Sequence, residues 1–391
     1  NPNLTCISVD NLTLANALVT NIDPGVVFDY NCTGLGCMDP FAYNFDQYAS
    51  IEDSSCLYNT YTYVPDNNFE NYLEANGMGD GIALNDTVLT SNINTVNNLY
   101  LDSLSINNLI GIEDFISLKV LHASFNPIDS LDLSNNDSLT HVYLNSCNLD
   151  SLDLSDKAYL LNLECAFNNL SDVNVSGDTS LTHLTIYNNQ LSHINLSSNS
   201  SLTQLRISNN VITNLDISNN SFLDRLWCGN NQLSSLDVSN NLILQSLVFY
   251  DNQVSNINLS NNIVLDYLRC ENTGLSNLDL SNNTILRYLY CDYNSLQALD
   301  LFNNTDIQRI SCSNNLIDSL DLSLQNSLYE LDAKNNQLVF LDMKNGNNVN
   351  VSLFKTINNP NLNCINVDDS TFSTNNWTNI DSQSYFSTNC S

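Results

Sequence analysis

Apolar residues return every 21 positions through the middle of the chain. From Leu121 the step lands on Val142, Leu163, Leu184, Leu205, Leu226, Leu247, Leu268, Leu289, Ile310 and Leu331 without a slip. A fixed period of this length marks a solenoid, because each short unit can bury its apolar face only by stacking on its neighbours. Within one coil Leu226 and Cys228 alternate with Arg225, Trp227 and Gly229, and Leu236 and Val238 repeat the alternation half a coil later. Period-two alternation sends one set inward and the other outward, so the pattern predicts about twelve coils with two short parallel β strands in each.

The columns between the leucines carry the next layer of information. One inward column reads Ala123, Leu144, Cys165, Ile186, Ile207, Cys228, Phe249, Cys270, Cys291, Cys312 and Ala333, all apolar or thiol. The turn after the first strand carries Asn126, Asn168, Asn189, Asn210, Asn231, Asn252, Asn294, Asn315 and Asn336, broken only by Cys147 and Thr273. A side-chain amide at a tight bend satisfies backbone groups the bend leaves over, so this ladder is read as structural. The second segment exposes Asp132, Asp153, Asp216, Asp237, Asp279, Asp300, Asp321 and Asp342, with Asn at the intervening coils; this is expected to be a solvated face.

The repeated L-x-x-L-x-L-x-x-N-x-L followed by L-x-x-L-D-L-x-x-N resembles the bacterial leucine-rich repeats of the 21-residue IRREKO type over residues 99–356. That resemblance implies a parallel-stranded arc with the first strand series on its concave side. It implies no activity, since one fold hosts many functions.

Ten Lys and Arg against 42 Asp and Glu give a net charge of −32, which excludes a general nucleic-acid binder. No apolar run is long enough for a transmembrane helix, and no membrane insertion is expected. Of the twelve cysteines, Cys147, Cys165, Cys228, Cys270, Cys291 and Cys312 fall in repeat columns and are read as buried free thiols. The other six lie outside the repeats as local pairs, Cys6 with Cys32, Cys37 with Cys56, and Cys364 with Cys390, and are expected to be disulfides. Such pairs place the chain in an oxidising compartment, secreted or at a cell surface.

The two ends repeat one another. Residues 1–32 match residues 359–390 at sixteen positions, from Asn1-Pro2-Asn3-Leu4 against Asn359-Pro360-Asn361-Leu362 to Cys32 against Cys390. Residues 357–391 stand where a solenoid needs a C-terminal cap, so residues 1–32 are read as the cap of a preceding unit in a longer tandem polypeptide; the alternative is a cap-like module reused at the front. Residues 33–60 form a Cys-bounded acidic linker, and residues 61–98 an N-terminal cap with a short helix started by Asp66 and carrying Phe69, Tyr72 and Leu73 on one face. The linker resembles Cys-bounded inserts of large Bacteroidetes surface proteins, and the VPDNNF opening near Pro65 resembles that of secreted leucine-rich repeat proteins from the same group. Asp39, Asp46, Glu52 and Asp53 in the 37–56 loop are candidate calcium ligands; the alternative is a stapled spacer without metal.

All five arginines, Arg206, Arg225, Arg269, Arg287 and Arg309, fall in or beside the first strand series. Trp227, Tyr187, Tyr250, Tyr267, Tyr288 and Tyr290 share that face, as do His122, His141 and His183. In so acidic a protein this strip is a candidate contact site for a glycan or a protein, with Arg206, Arg225, Trp227, Tyr250, Tyr267, Arg269, Tyr288, Tyr290 and Arg309 as ligand-binding residues. The alternative is that arginines and aromatics simply cover the sheet. No Ser/His/Asp set, HExxH, phosphate loop or dinucleotide fingerprint is present, and no feature selects Glu164, Glu271 or Asp292 as catalytic acids. The expectation is a non-enzymatic extracellular structural or adhesive module whose partners are neighbouring units of the same or an identical chain, with ligand binding through the strip as the alternative.

Overall fold

The computed structural model describes every residue except 1–3, 5, 11, 19, 20, 24, 25, 30–33, 43, 47, 48, 50 and 391. The first strand of each coil joins a thirteen-stranded parallel sheet that runs from Asn98–Tyr100 to Leu353–Lys355. The 21-residue clock is the register of that sheet. Leu121 pairs with Val142, Leu205 with Leu226, and Ile310 with Leu331, each pair side by side on the inner face. Leu99 pairs with Leu121 and Leu331 with Phe354, so only the first and last steps are longer. The inward leucines are fully buried and form one continuous core, each contributing about 2 kcal/mol by removal from water.

The second segment pairs as strand only near the ends. Ser151–Asp153 pairs with Asp172–Asn174, and Ser319–Asp321, Phe340–Asp342, Cys364–Asn366 and Tyr385–Ser387 form a four-stranded parallel sheet. In the coils between, Leu215 with Ile217 and Leu278 with Leu280 keep the inward alternation and stay buried, but no ladder forms. This corrects the expectation of two strands in every coil.

Two columns of amides tie neighbouring coils together. In the first, Asn231 donates from Nδ2 to the carbonyls of Ile207, one coil back, and Cys228, both at 3.1 Å, while its Oδ1 accepts the Ile212 N–H at 3.0 Å. The same three bonds recur at Asn168, Asn210, Asn252, Asn315 and Asn336, as expected of a structural ladder. At Thr273 the hydroxyl donates to the Cys270 carbonyl instead. The second column, Asn136, Asn199, Asn220, Asn241, Asn262, Asn283, Asn304 and Gln325, ends each coil and is also buried. Asn262 is typical: its Nδ2 donates to the carbonyls of Val238 at 3.1 Å and Asn241 at 2.9 Å. The sequence reading gave this column no role. Lys157 and Asp178 interrupt it; Lys157 Nζ still donates, to the Ser134 carbonyl at 2.7 Å, whereas Asp178 has no N–H to give.

The outward Asp/Asn column is also committed. Each member accepts the backbone N–H two residues on, as Asp216 does from Ser218 at 3.0 Å and Asp300 from Phe302 at 3.0 Å. These local turns end the second segment in coil after coil. The residue before each first-column amide takes left-handed backbone, which Asn tolerates and Phe125, Phe167 and Tyr293 do not favour.

The caps follow the same logic. Asp66 accepts the Asn68 and Phe69 N–H groups at 3.0 Å and starts the helix Asn67–Ala75, whose Phe69 and Leu73 are fully buried. At the other end Cys364–Asn366 pairs on one side with Phe340–Asp342 and on the other with Tyr385–Ser387, the helix Ser370–Asn376 lies between, and Trp377 stacks on Phe354 at 4.2 Å. Cys364 is bonded to Cys390 and Cys37 to Cys56, while the expected partner of Cys6, Cys32, lies outside the described residues. Among the described residues six cysteines are free, and all are the repeat-column thiols, buried as expected.

Candidate binding groove

Outward side chains of a parallel sheet stand in rows along the stack, so residues 21 apart touch. Arg206 lies over the ring of Trp227 at 4.3 Å. Arg269 sits between Tyr250 at 4.9 Å and Tyr290 at 5.5 Å, and Arg309 donates to the Tyr290 hydroxyl at 2.8 Å. Tyr267 lies 6.0 Å from Tyr288 and 5.7 Å from Tyr290 between ring centroids. Gly229 makes room for this row, since a Cβ there would come within 2.5 Å of the Tyr250 ring. Each stacked pair contributes about 0.5–2 kcal/mol and fixes the next ring.

Charge along the strip is mostly neutralised from within. Glu271 accepts from Arg269 at 2.9 and 2.7 Å, Asp266 pairs with Arg287, Glu330 with Arg309 at 2.8 Å, and Asp224 lies 4.0 Å from Arg225. Burial pushes the Glu271 carboxyl above the usual range, and Arg269 pulls it back. Among the described residues Arg206 is the arginine without a carboxylate, and its Nε is buried without a hydrogen-bond partner.

The structure brings Arg206, Trp227, Tyr250, Tyr267 and Arg269 together with Tyr187 around a groove of about 300 Å³. Tyr288, Tyr290 and Arg309 continue the same row beyond it, and Arg225 stands outside, beside Asp224 and Gln204. Ser208, Asn209 and Val248 also line the groove and escaped the sequence reading. A signal was available: Ser208 and Val248 have the same outward parity as Arg206, Trp227 and Tyr250. A second cluster of rings lies toward the start of the sheet, where His122 stacks on Tyr143 at 4.2 Å and lies 5.0 Å from Tyr100. The acids considered for catalysis are bound locally: Glu164 accepts from Asn145, Glu271 from Arg269, and Asp292 from Ser311 and the Ser313 N–H. A larger hollow of about 520 Å³ on the second-segment side is walled by Asp132, Asp153 and Asp137. Its carboxylates hold the Ser134 and Ser155 N–H groups and Lys157.

The calcium candidates are not drawn together. Asp39 accepts the Phe41 N–H at 2.9 Å and the Tyr58 hydroxyl at 2.6 Å, Glu52 those of Met38 and Ser54, and Asp53 that of Ser55. No three of Asp39, Asp46, Glu52 and Asp53 bring oxygens within 4.8 Å of one another; the group that does converge is Glu52 with the sulfurs of the Cys37–Cys56 disulfide. The donor set as folded does not fit a calcium site, which needs six or more oxygens at one point.

The continuous parallel sheet, the inward leucines and the amide ladders define a leucine-rich repeat solenoid. No protein-family model and no curated protein sequence matches the chain. Solved structures do. The functional domain of InlJ from Listeria monocytogenes, which includes a cysteine ladder, is 26% identical over 79% of this chain and 76% of that one, with a TM-score of 0.69. A leucine-rich repeat protein of Leptospira interrogans is 18% identical over 71% of this chain and 79% of its own, at 0.60. The internalin InlF of Listeria monocytogenes is 18% identical over 70% of this chain and 91% of its own, at 0.56. The likeness to these bacterial proteins is a likeness of fold. No helix among the described residues is long and apolar enough to cross a membrane, and the two described disulfides fit an extracellular location.

Proposed function

We propose that the chain is a non-enzymatic extracellular interaction module that binds an anionic glycan through the groove around Arg206 and Trp227. The observation that carries this reading is the unneutralised Arg206 guanidinium, held 4.3 Å over an indole in a groove whose other arginine, Arg269, is already paired. A carboxylate or sulfate suits the free guanidinium, and the rings beside it suit the apolar face of a sugar. The test is an array of neutral and acidic oligosaccharides read with wild type and with Arg206→Ala/Trp227→Ala. Retention of acidic members, weakened at least about tenfold in the variant with folding unchanged, is the expected result. Retention that ignores the double change, or no retention at all, overturns it.

A second reading, favoured by the repeat between residues 1–32 and 359–390, is that the solenoid is one stiff unit in an array of such units along a larger surface-attached polypeptide or fibre, of the kind the Bacteroidetes-like linker suggests. The two readings are compatible, with the array carrying the groove.

A further inference from the structure

The sequence repeat between the ends is also a repeat of structure. At the front, Cys6–Ser8 pairs in parallel with Val27–Asp29, Cys6 opposite Val27, and the helix Leu12–Leu18 lies between them in sequence. At the back, Cys364–Asn366 pairs in parallel with Tyr385–Ser387, Cys364 opposite Tyr385, with the helix Ser370–Asn376 between. Every boundary and the register are shifted by the same 358 residues as the sequence match.

What differs is burial. Leu362, Ile365 and Val367 are fully buried because their strand lies along Phe340–Asp342 of the last coil, with Ile365 opposite Leu341 and the Asn366 carbonyl accepting the Met343 N–H at 2.8 Å. Their front counterparts are the same three residue types, Leu4, Ile7 and Val9. Leu4 is 41% exposed, and Ile7 and Val9 are only half-buried. Leu14, the counterpart of the partly buried Phe372, is 56% exposed, and Phe28 is less buried than Phe386. Exposed apolar residues scattered singly need no explanation. Here the identical set, in the identical register, is what a coil covers in the other copy.

We infer that the front module is a docking surface for the last coil of a leucine-rich solenoid of this 21-residue type, which its Leu4/Ile7/Val9 face caps as Leu362/Ile365/Val367 cap this one. The inference rests on the array reading for its biological setting, but the surface is defined by the module itself. The partner must present an uncapped strand like Phe340–Asp342, with inward residues like Leu341 and Met343 at its edge. A second copy of this solenoid does not offer one, because residues 357–391 already occupy that place.

The experiment is a transplant within the full chain. Residues 359–390 are replaced by the sequence of residues 1–32, whose first four and last two residues are identical to those they replace, so the junctions do not change. This protein is compared with wild type, with a chain ending at Thr356, and with the transplant carrying Ile7→Asp in the grafted copy. The truncated chain is expected to lose at least about 5 °C in Tm and to self-associate in light scattering, because its core is open to water. The transplant should remain monomeric and recover most of that loss, and the grafted Ile7→Asp should forfeit the recovery. A transplant no better than the truncated chain, or one indifferent to Ile7→Asp, refutes the docking surface. The array reading is tested apart from it, by the mass of the native polypeptide: a species of only 43.6 kDa removes the array whatever the transplant does.

Discussion

Asp178→Asn should make the protein more stable, and by an amount that depends on pH. Position 178 belongs to the buried amide column, where Asn199, Asn220 and Asn262 donate to carbonyls 24 and 21 residues back. Asp178 Oδ1 accepts the Lys157 N–H at 2.7 Å, but Oδ2 is buried without a partner, facing the place where the column has a donor. Burial is the main reason its carboxyl is pushed up to about 7, opposed by the Lys157 N–H and reinforced by Asp156. In the unfolded chain the same carboxyl loses its proton near pH 4. Between about pH 4 and 7 the folded chain therefore keeps a proton that the unfolded chain has lost, and stability falls as pH rises across that window. At pH 8 the full penalty is on the order of 4 kcal/mol, an upper bound because relaxation and water entry reduce it. An amide removes the penalty and adds N–H donors for the carbonyls of Leu154 and Lys157, each bond contributing about 1 kcal/mol. The expected gain is at most roughly 6 kcal/mol at pH 8, falling to at most roughly 3 kcal/mol at pH 5, read as a larger Tm rise at the higher pH in paired melts at the two pH values. A variant no more stable than wild type at pH 8, or one whose gain is the same at pH 5, would refute the account of this column.

Three further outcomes are expected. Asp132, Asp153, Asp216, Asp237 and Asp279 are held below the ordinary carboxylate range by backbone N–H groups, so their contribution is complete above about pH 4 and is lost as pH falls through their lower folded values; melts from pH 6 to 2.5 should show a steep acid limb, and a flat profile would contradict the turn assignment. Tyr293 is 62% exposed in left-handed backbone, so Tyr293→Asn should stabilise by roughly 1 kcal/mol in denaturant titrations, and a loss of stability would show that the ring makes a compensating contact. Burial pushes the Cys228 thiol up to about 12 and raises Cys165, Cys270, Cys291 and Cys312 as well; a maleimide at pH 8 should label none of the six column thiols in the native protein and all of them in denaturant, whereas fast native labelling would mean the core opens locally.

The sheet was legible because its register is a count. A step of 21 from Leu121 can be read without knowing any angle, and the first amide column follows since Asn at a tight bend has an evident bonding role. The Asp column was read as solvated, although Asp-Leu-Ser is a local turn signal, because exposure and hydrogen bonding to the chain's own backbone are not exclusive. The strip was visible in outline, but its groove was not: Arg206 and Arg225 share outward parity but stand in different columns, Arg206 opposite Trp227 and Arg225 opposite Gln204 and beside Asp224. In the 37–56 loop, acidity alone suggested a cation; the loop instead spends Asp39, Glu52 and Asp53 on its own N–H groups, a choice that depends on backbone path rather than composition.

The first amide column also gives the stack a direction. In the regular coils each amide reaches back 24 residues, so every coil is finished by the one after it, and the last is finished by Asn359, whose Nδ2 donates to the Ala333 carbonyl, 26 residues back, at 2.9 Å and whose Oδ1 accepts the Leu338 N–H at 3.1 Å. Because each coil asks the same of its successor, whole coils can be gained or lost in multiples of 21 residues without remaking any contact, while the extra residues of the first and last steps are absorbed so that Asn126 and Asn359 still reach their carbonyls across 25 and 26 residues. The length of the sheet face is thus set by the number of coils, and it can change without altering any contact within a coil.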